Sequence, residues 1–314
     1  MKPLPILALA AILPALMPSS AHATIDRSIA KTFAVLPSGH IEVRTFGGTI
    51  EVQASSNATA TVTALERIHA GSDAEADAIA RKLDLSIEQH GADIVASAKY
   101  PDQGLGFHFG AWPPVEVDFV VKVPAGFDAN LWTSGGNVVV GDLTGRVFAK
   151  TSGGDIELGR LGGEVDATTS GGNVSLKEGG AAANLRTSGG EIKVGRVAGP
   201  AVLSTSGGDI QVGSVENRLN ASTSGGDIRA RIAGPLKGES VLETSGGEVK
   251  VTVGRTSGFT LDAATSGGDV EVKNLTITVE DGVFGSSRVK GTVNAGGPLL
   301  KLRSSGGDIA IQGE

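Results

Sequence analysis

Thr151-Ser152-Gly153-Gly154-Asp155-Ile156-Glu157-Leu158 is one copy of a phrase that decides the fold. Thr-Ser-Gly-Gly, then an acid or amide, then Ile or Val, begins at Thr133, Thr151, Thr169, Thr187, Thr205, Thr223, Thr244 and Thr265, with a close variant at Ser304. The first five intervals are 18 residues, the next two 21 and the last 39. A fixed period of this size marks stacked structural units. The long interval leaves room for two turns with a degenerate phrase, Phe284-Gly285-Ser286-Ser287-Arg288-Val289, between them. Thr45-Phe46-Gly47-Gly48-Thr49-Ile50 reads as a decayed first copy.

Within one period the apolar residues alternate. Ile156 and Leu158 interleave with Asp155 and Glu157; Val165, Ala167 and Thr169 interleave with Asp166 and Thr168. Period two means a strand with one dry and one wet face. A second punctuation falls midway, at Gly162-Gly163, Gly179-Gly180, Gly199-Pro200 and Gly234-Pro235. Two turns per period leave two short strands, so each period is one flattened coil and successive coils stack as parallel strands. The expected fold is all-β: a parallel two-sided β-solenoid of about 18-residue coils over 131–314, roughly ten coils at the strand spacing of about 4.8 Å.

The doublets Gly135-Gly136, Gly153-Gly154, Gly171-Gly172, Gly189-Gly190, Gly207-Gly208 and Gly225-Gly226 are read as structural turn residues, with positive φ as the reason for glycine. Parity places Thr151 and its equivalents at the inner edge, as a column whose hydroxyls satisfy turn backbone groups. Ala167 at the middle inward position suits a thin core. Gly154→Val or Ala167→Phe should therefore cost several kcal/mol through backbone strain or overpacking.

The chain of 314 residues has 47 glycines, 12 aromatics, two methionines and no cysteine. That much glycine argues against a helical protein, and it lacks the every-third-residue spacing of collagen. Absent cysteine removes disulfides, thiolate metal sites and cysteine nucleophiles. A net charge of −7 gives no basic surface for nucleic acid. Residues 1–23 read as a secretory signal peptide: Lys2, an apolar run from Leu4 to Met17, and Ala21-His22-Ala23 for cleavage. The expected product is exported, periplasmic or at the surface, and carries no transmembrane segment once cleaved.

Residues 24–130 carry weaker strand signals, at 32–36, 41–44, 49–53, 59–65, 85–88, 94–98 and 115–123. One helix is expected at about 73–83, with Ser72 and Glu75 forming a capping box and Ala76, Ile79, Ala80 and Leu83 an apolar stripe. This β-rich segment is expected to cap the N-terminal end of the solenoid. The chain stops four residues after Ala310 with no comparable plug, which leaves that end to a partner or to end-to-end self-association.

The Thr-Ser-Gly-Gly-Asp-Ile repeat resembles a bacterial domain-of-unknown-function family with β-strand repeats, described as adhesin-like. Gly39-His40-Ile41-Glu42-Val43, Gly48-Thr49-Ile50-Glu51-Val52 and Val121-Lys122-Val123-Pro124-Ala125-Gly126 extend the resemblance over nearly the whole chain after the leader. It implies a surface or periplasmic β-repeat protein and transfers no catalytic residue.

Several chemistries can be weighed on the residues. The repeated Ser-Gly-Gly is neither a single nucleophile elbow with its base nor a P-loop with its Lys and helix. The residues after each doublet (Asn137, Asp155, Asn173, Glu191, Asp209, Asp227, Glu248, Asp269, Asp308) would align as an acidic column. Calcium wants six to eight oxygens and this column supplies one such residue per coil; Lys193, Arg229 and Lys250 beside it suit a solvated face. His40, His69, His90 and His108 lack the spacing of a helical zinc pair. An ice-binding array is excluded by the mixed outward residues Lys150, Asp166, Arg186 and Glu243.

The loop from Tyr100 to Pro114 gathers Tyr100, Phe107, His108, Phe109 and Trp112. It reads either as a ligand-contact loop or as a hydrophobic plug over the coil end. The overall reading is a non-enzymatic, adhesin-like binding or presentation module, without cofactor or metal, whose partner is a glycan or protein of the envelope or exterior. The alternatives are a polysaccharide lyase-like enzyme on the same scaffold, with Arg146, Arg160, Arg186 and Arg196 as its candidate cations, and a periplasmic envelope scaffold or sensor.

Overall fold

In the computed structural model, which describes residues 23–100, 115–282 and 286–314, each Gly doublet of the phrase carries the chain from one sheet to the other. The strand before the phrase joins a 14-stranded back sheet and the strand after it joins a 13-stranded front sheet. Ile156 lies on Val138 and under Val174, one period away in each direction. Ala149, Ala167, Leu185 and Leu203 stack likewise on the back sheet. The fold is an all-β, parallel two-sided solenoid.

The core is the space between the sheets. Ile156, Val174, Ile192, Ile210 and Ile228 form a buried front row, and Leu131, Ala149, Ala167, Leu185 and Leu203 a buried back row. Alanine does not hold the middle inward position throughout. Val165 pairs with Ala167 along one strand, Ala183 with Leu185, Ala201 with Leu203 and Leu219 with Ala221. Each strand carries one larger and one small residue, in an order that reverses between Ala167 and Leu185 and again between Leu203 and Ala221, which holds the layer's volume nearly constant, as close packing demands.

The Thr column forms as parity requires. Thr133, Thr151, Thr169, Thr187, Thr205, Thr223, Thr244 and Thr265 are all buried. Each Oγ1 donates to the carbonyl of the second glycine in the neighbouring coil: Thr151 to Gly136 at 2.8 Å, Thr169 to Gly154 at 2.8 Å and Thr187 to Gly172 at 2.7 Å. In the seven from Thr133 to Thr244 the same oxygen accepts from the N–H of its own coil's second glycine, as Thr151 does from Gly154 at 3.3 Å. One side chain thus pairs two groups that the corner takes out of the sheet ladders.

The reason for glycine at these corners differs from the one expected. Among the described residues the positive-φ glycines are Gly91, Gly234, Gly296 and Gly297, and no glycine of the Thr-Ser-Gly-Gly phrase is among them. The constraint is stacking. A Cβ on Gly154 would stand 2.2 Å from the carbonyl oxygen of Gly136, and one on Gly172 would stand 2.1 Å from that of Gly154. The first glycine is looser, a Cβ on Gly153 lying 3.3 Å from the oxygen of Gly135.

The front third is continuous with the stack. His40–Arg44 and Ile50–Ser55 pair in parallel with Asp128–Trp132 and Val138–Val140, so the phrase at Thr45 is a working corner. Gly136 sits over Gly48 as closely as Gly154 sits over Gly136. The hydrogen-bonded ladder therefore crosses the boundary drawn at residue 130. Beyond this coil the pairing turns antiparallel: Ala23–Ala34 with Thr59–Ala70, Thr59–Ala70 with Val115–Pro124, and Asp84–His90 with Asp93–Lys99. The helix Asp73–Ala80 is capped by Ser72, whose Oγ accepts from the Glu75 N–H at 3.3 Å. It buries Ala76 and leans Ile79 and Ala80 on the core, and it ends at Ala80, so that Leu83 of the expected stripe packs there from beyond the helix.

The other end departs from the expected order. The last coil, Leu299–Ser304 and Ile309–Gly313, is not terminal in space. Leu299–Ser304 lies between Ser240–Thr244 and Phe259–Thr265, and Ile309–Gly313 between Val249–Val253 and Val270–Lys273. Among the described residues the 39-residue interval holds no extra coil. Ile277–Gly282 and Arg288–Val293 form an antiparallel hairpin on Phe259–Thr265. The end of the chain is thus an interior layer, and the outer layer comes from residues earlier in sequence. Phe284 and Gly285 of the degenerate phrase lie outside the described residues.

Candidate functional site

Outward positions of the back sheet form two rows along the stack. One runs Glu42, Asn130, Phe148, Asp166, Asn184, Val202; the other Arg44, Trp132, Lys150, Thr168, Arg186, Ser204. Alternation fixes both rows, because each neighbour points into the core. Here the coils place two large aromatics outside. The Trp132 and Phe148 rings are 5.3 Å apart at 44°, and the Arg44 guanidinium lies 4.3 Å from the centre of the Trp132 ring. Glu42 accepts from Arg44 Nε at 2.6 Å and holds the cation in place.

Phe148 also forms one wall of a depression of about 550 Å³, bordered by His40, Asp128, Asn130, Arg146, Glu164, Asp166, Asn184 and Arg218. Its polar groups interlock. Asn130 Nδ2 and His40 Nε2 are 3.1 Å apart. Asn184 Nδ2 donates to Asp166 at 3.0 Å, and Asn184 Oδ1 has no hydrogen-bond partner among the described residues. Asp128 accepts from the Arg146 backbone N–H at 2.7 Å and from its guanidinium at 3.0 Å. Partial burial pushes the Asp128 carboxyl up; the Arg146 hydrogen bonds and charge, with His40, outweigh it and hold it below its ordinary value. Amides, carboxylates and a cation beside half-buried aromatic rings can hydrogen-bond hydroxyls and stack an apolar sugar face.

The sequence-predicted residues separate. Tyr100 is half-buried just past Asp93–Lys99, and Phe107, His108, Phe109 and Trp112 lie outside the described residues, as do residues 1–22 of the leader expected at 1–23. Gly135, Gly136, Gly153, Gly154 and the later doublets sit at the bends between the two sheets. The four arginines do not share one site. Arg146 and Arg186 face out from the back sheet, whereas Arg160 pairs with Asp142 at 3.0 Å and Arg196 with Glu216, across the opposite corner. The acidic column binds its own neighbours: Asn137 accepts from the Asp155 N–H at 2.9 Å, Asp155 from Asn173 at 2.6 Å and Asp209 from Asp227 at 2.8 Å. Among the described residues no group of three or more His, Cys, Asp or Glu is arranged to hold a metal ion. No helix among them is long and apolar enough to cross a membrane.

Composition does not single out Trp132 and Phe148, because four of the twelve aromatics crowd into 100–114. The signal was present: Trp132 directly precedes Thr133, the parity position that Lys150 occupies one coil later.

The family model of Toastrack DUF4097 matches residues 38–312, from the first coil to the last. The chain belongs to the Toastrack family. A comparison with curated proteins finds no match. Among solved structures, similarity extends to a putative lipid binding protein from Parabacteroides distasonis ATCC 8503, at 14% identity and TM-score 0.49, covering 90% of this chain and 96% of that one. A putative adhesin from the same organism is similar at 13% identity and TM-score 0.45, with 91% and 97% covered. A putative adhesin from Bacteroides fragilis NCTC 9343 is similar at 12% identity and TM-score 0.36, with 91% and 97% covered. The membership matches the resemblance read from the repeat.

Proposed function

We propose that this Toastrack chain is an exported, non-catalytic, adhesin-like module that binds carbohydrate on the outer face of its back sheet. The Arg44–Trp132–Phe148 cluster supports this reading above all, because it places ring surface on a rigid face beside a polar depression. A parallel ladder gives that face the same spacing in every coil, which suits a repeating polymer making several individually weak contacts. The reading requires Trp132 to touch ligand. A glycan array, followed by product analysis of any retained sugar, tests it. Retention that is lost in Trp132→Ala, with no new chain ends, is the expected result. Retention unchanged in a folded Trp132→Ala protein places binding elsewhere, and new chain ends make the protein an enzyme.

A further inference from the structure

Resting on that carbohydrate reading, we infer that the polymer is a linear acidic glycan, one carrying carboxylates at regular intervals, lying along the solenoid axis. The register carries the inference. Arg44, Trp132, Lys150, Thr168 and Arg186 occupy successive layers of a single outward row. Within these five layers a cation stands at every second coil, about 9.6 Å apart at the strand spacing of about 4.8 Å, and the row then continues with Ser204 and Ser222. That interval is close to one disaccharide unit of an extended glycan. The residues between the cations are the aromatic Trp132 and the hydroxyl-bearing Thr168, so the row alternates charge with a stacking or hydrogen-bonding group.

The outer cations are open to a ligand. Lys150 and Arg186 are exposed, and neither makes an ion pair among the described residues. Of the other arginines of this face, Arg44 is matched by Glu42, Arg146 by Asp128 and Arg303 by Asp262, while Arg218 borders the depression outside the row. Asp166, the nearest acid in the adjoining row, accepts from the Asn184 amide at 3.0 Å. Residues 24–314 carry 26 basic and 34 acidic side chains. Two unmatched cations in register on such a protein give a narrow stripe that selects an anion spaced to fit it.

Polygalacturonate and the same polymer with its carboxylates reduced to alcohols are the probes, titrated by calorimetry against the purified chain at low and at physiological salt. The acidic polymer should bind, more weakly as salt rises. The Lys150→Gln/Arg186→Gln double variant should lose on the order of tenfold in affinity for it, through two lost charge-assisted contacts. Both positions are exposed, so an unchanged melting temperature establishes that the variant is folded. Acidic polymer bound as tightly by the double variant overturns the inference. Reduced polymer bound as well as acidic polymer, and lost in Trp132→Ala, overturns the inference while the carbohydrate reading stands. Neither polymer bound, together with no retention on the array, overturns both.

Discussion

The hydroxyl of Thr151 donates to the carbonyl of Gly136, 2.8 Å away in the coil next to its own, and accepts from the N–H of Gly154. Removing it leaves two backbone groups of a buried corner without partners. Thr151→Val keeps the shape and deletes only the hydroxyl, so it should cost about 1–3 kcal/mol. Thr151→Ser should recover much of that, as the natural Ser304 makes the same pair of bonds, at 2.8 Å to Gly247 and 2.9 Å from Gly307. Urea titration measures both. Equal stability of the Val variant and wild type would show that the column is not a structural element.

Gly153 and Gly154 are adjacent in sequence and unequal in space. Gly154→Ala drives a Cβ into the Gly136 carbonyl at 2.2 Å, whereas Gly153→Ala meets its nearest atom at 3.3 Å. The first change should cost about 3 kcal/mol or more, at the severe end for point mutants, and the second markedly less. Thermal melts of the pair decide it. Equal losses would refute stacking as the cause.

Asp262 is held by Arg303 at 2.7 Å. Burial pushes its carboxyl up, and the hydrogen bond and charge of Arg303 outweigh this and hold it below its ordinary value. Asp128 is lowered in the same manner. Unfolded, both titrate near 3.9. Their contribution is therefore complete above about pH 4 and lost as pH falls through the lower folded values. The urea midpoint should drop between about pH 4 and more acid solution, and Asp262→Asn should flatten that drop. A variant with the wild-type acid slope would contradict the assignment.

Ending the chain at residue 298 removes an interior layer. Val249–Val253 and Val270–Lys273 both lose their partner, Ile309–Gly313. This truncation should lower the urea midpoint and release the Phe259–Gly282 region to limited proteolysis. If that region stays protected, the last coil is peripheral.

How far the sequence reached can be judged at single residues. Ile156 and Asp155 differ in fate because one faces in and the other out, and alternation over five residues suffices to say so. The Thr column followed from the same parity. The doublets were placed at corners by spacing alone, but their steric reason involves an atom 18 residues away. The Trp132–Phe148 contact lay between adjacent coils and off the aromatic-rich loop, so composition pointed elsewhere.

The 18-residue period dictated the coil, its two strands, the buried rows and the family, because each is a local pattern repeated faithfully and stacked on its own copy. Tertiary structure decided which layers touch. It set the last coil inside the stack, where it hydrogen-bonds on both sides. It made glycine obligatory through close carbonyl approach, and it assembled Arg44, Trp132 and Phe148 from three separate layers. Those outcomes depend on the order of layers in space, and a repeat whose copies are nearly interchangeable does not encode that order.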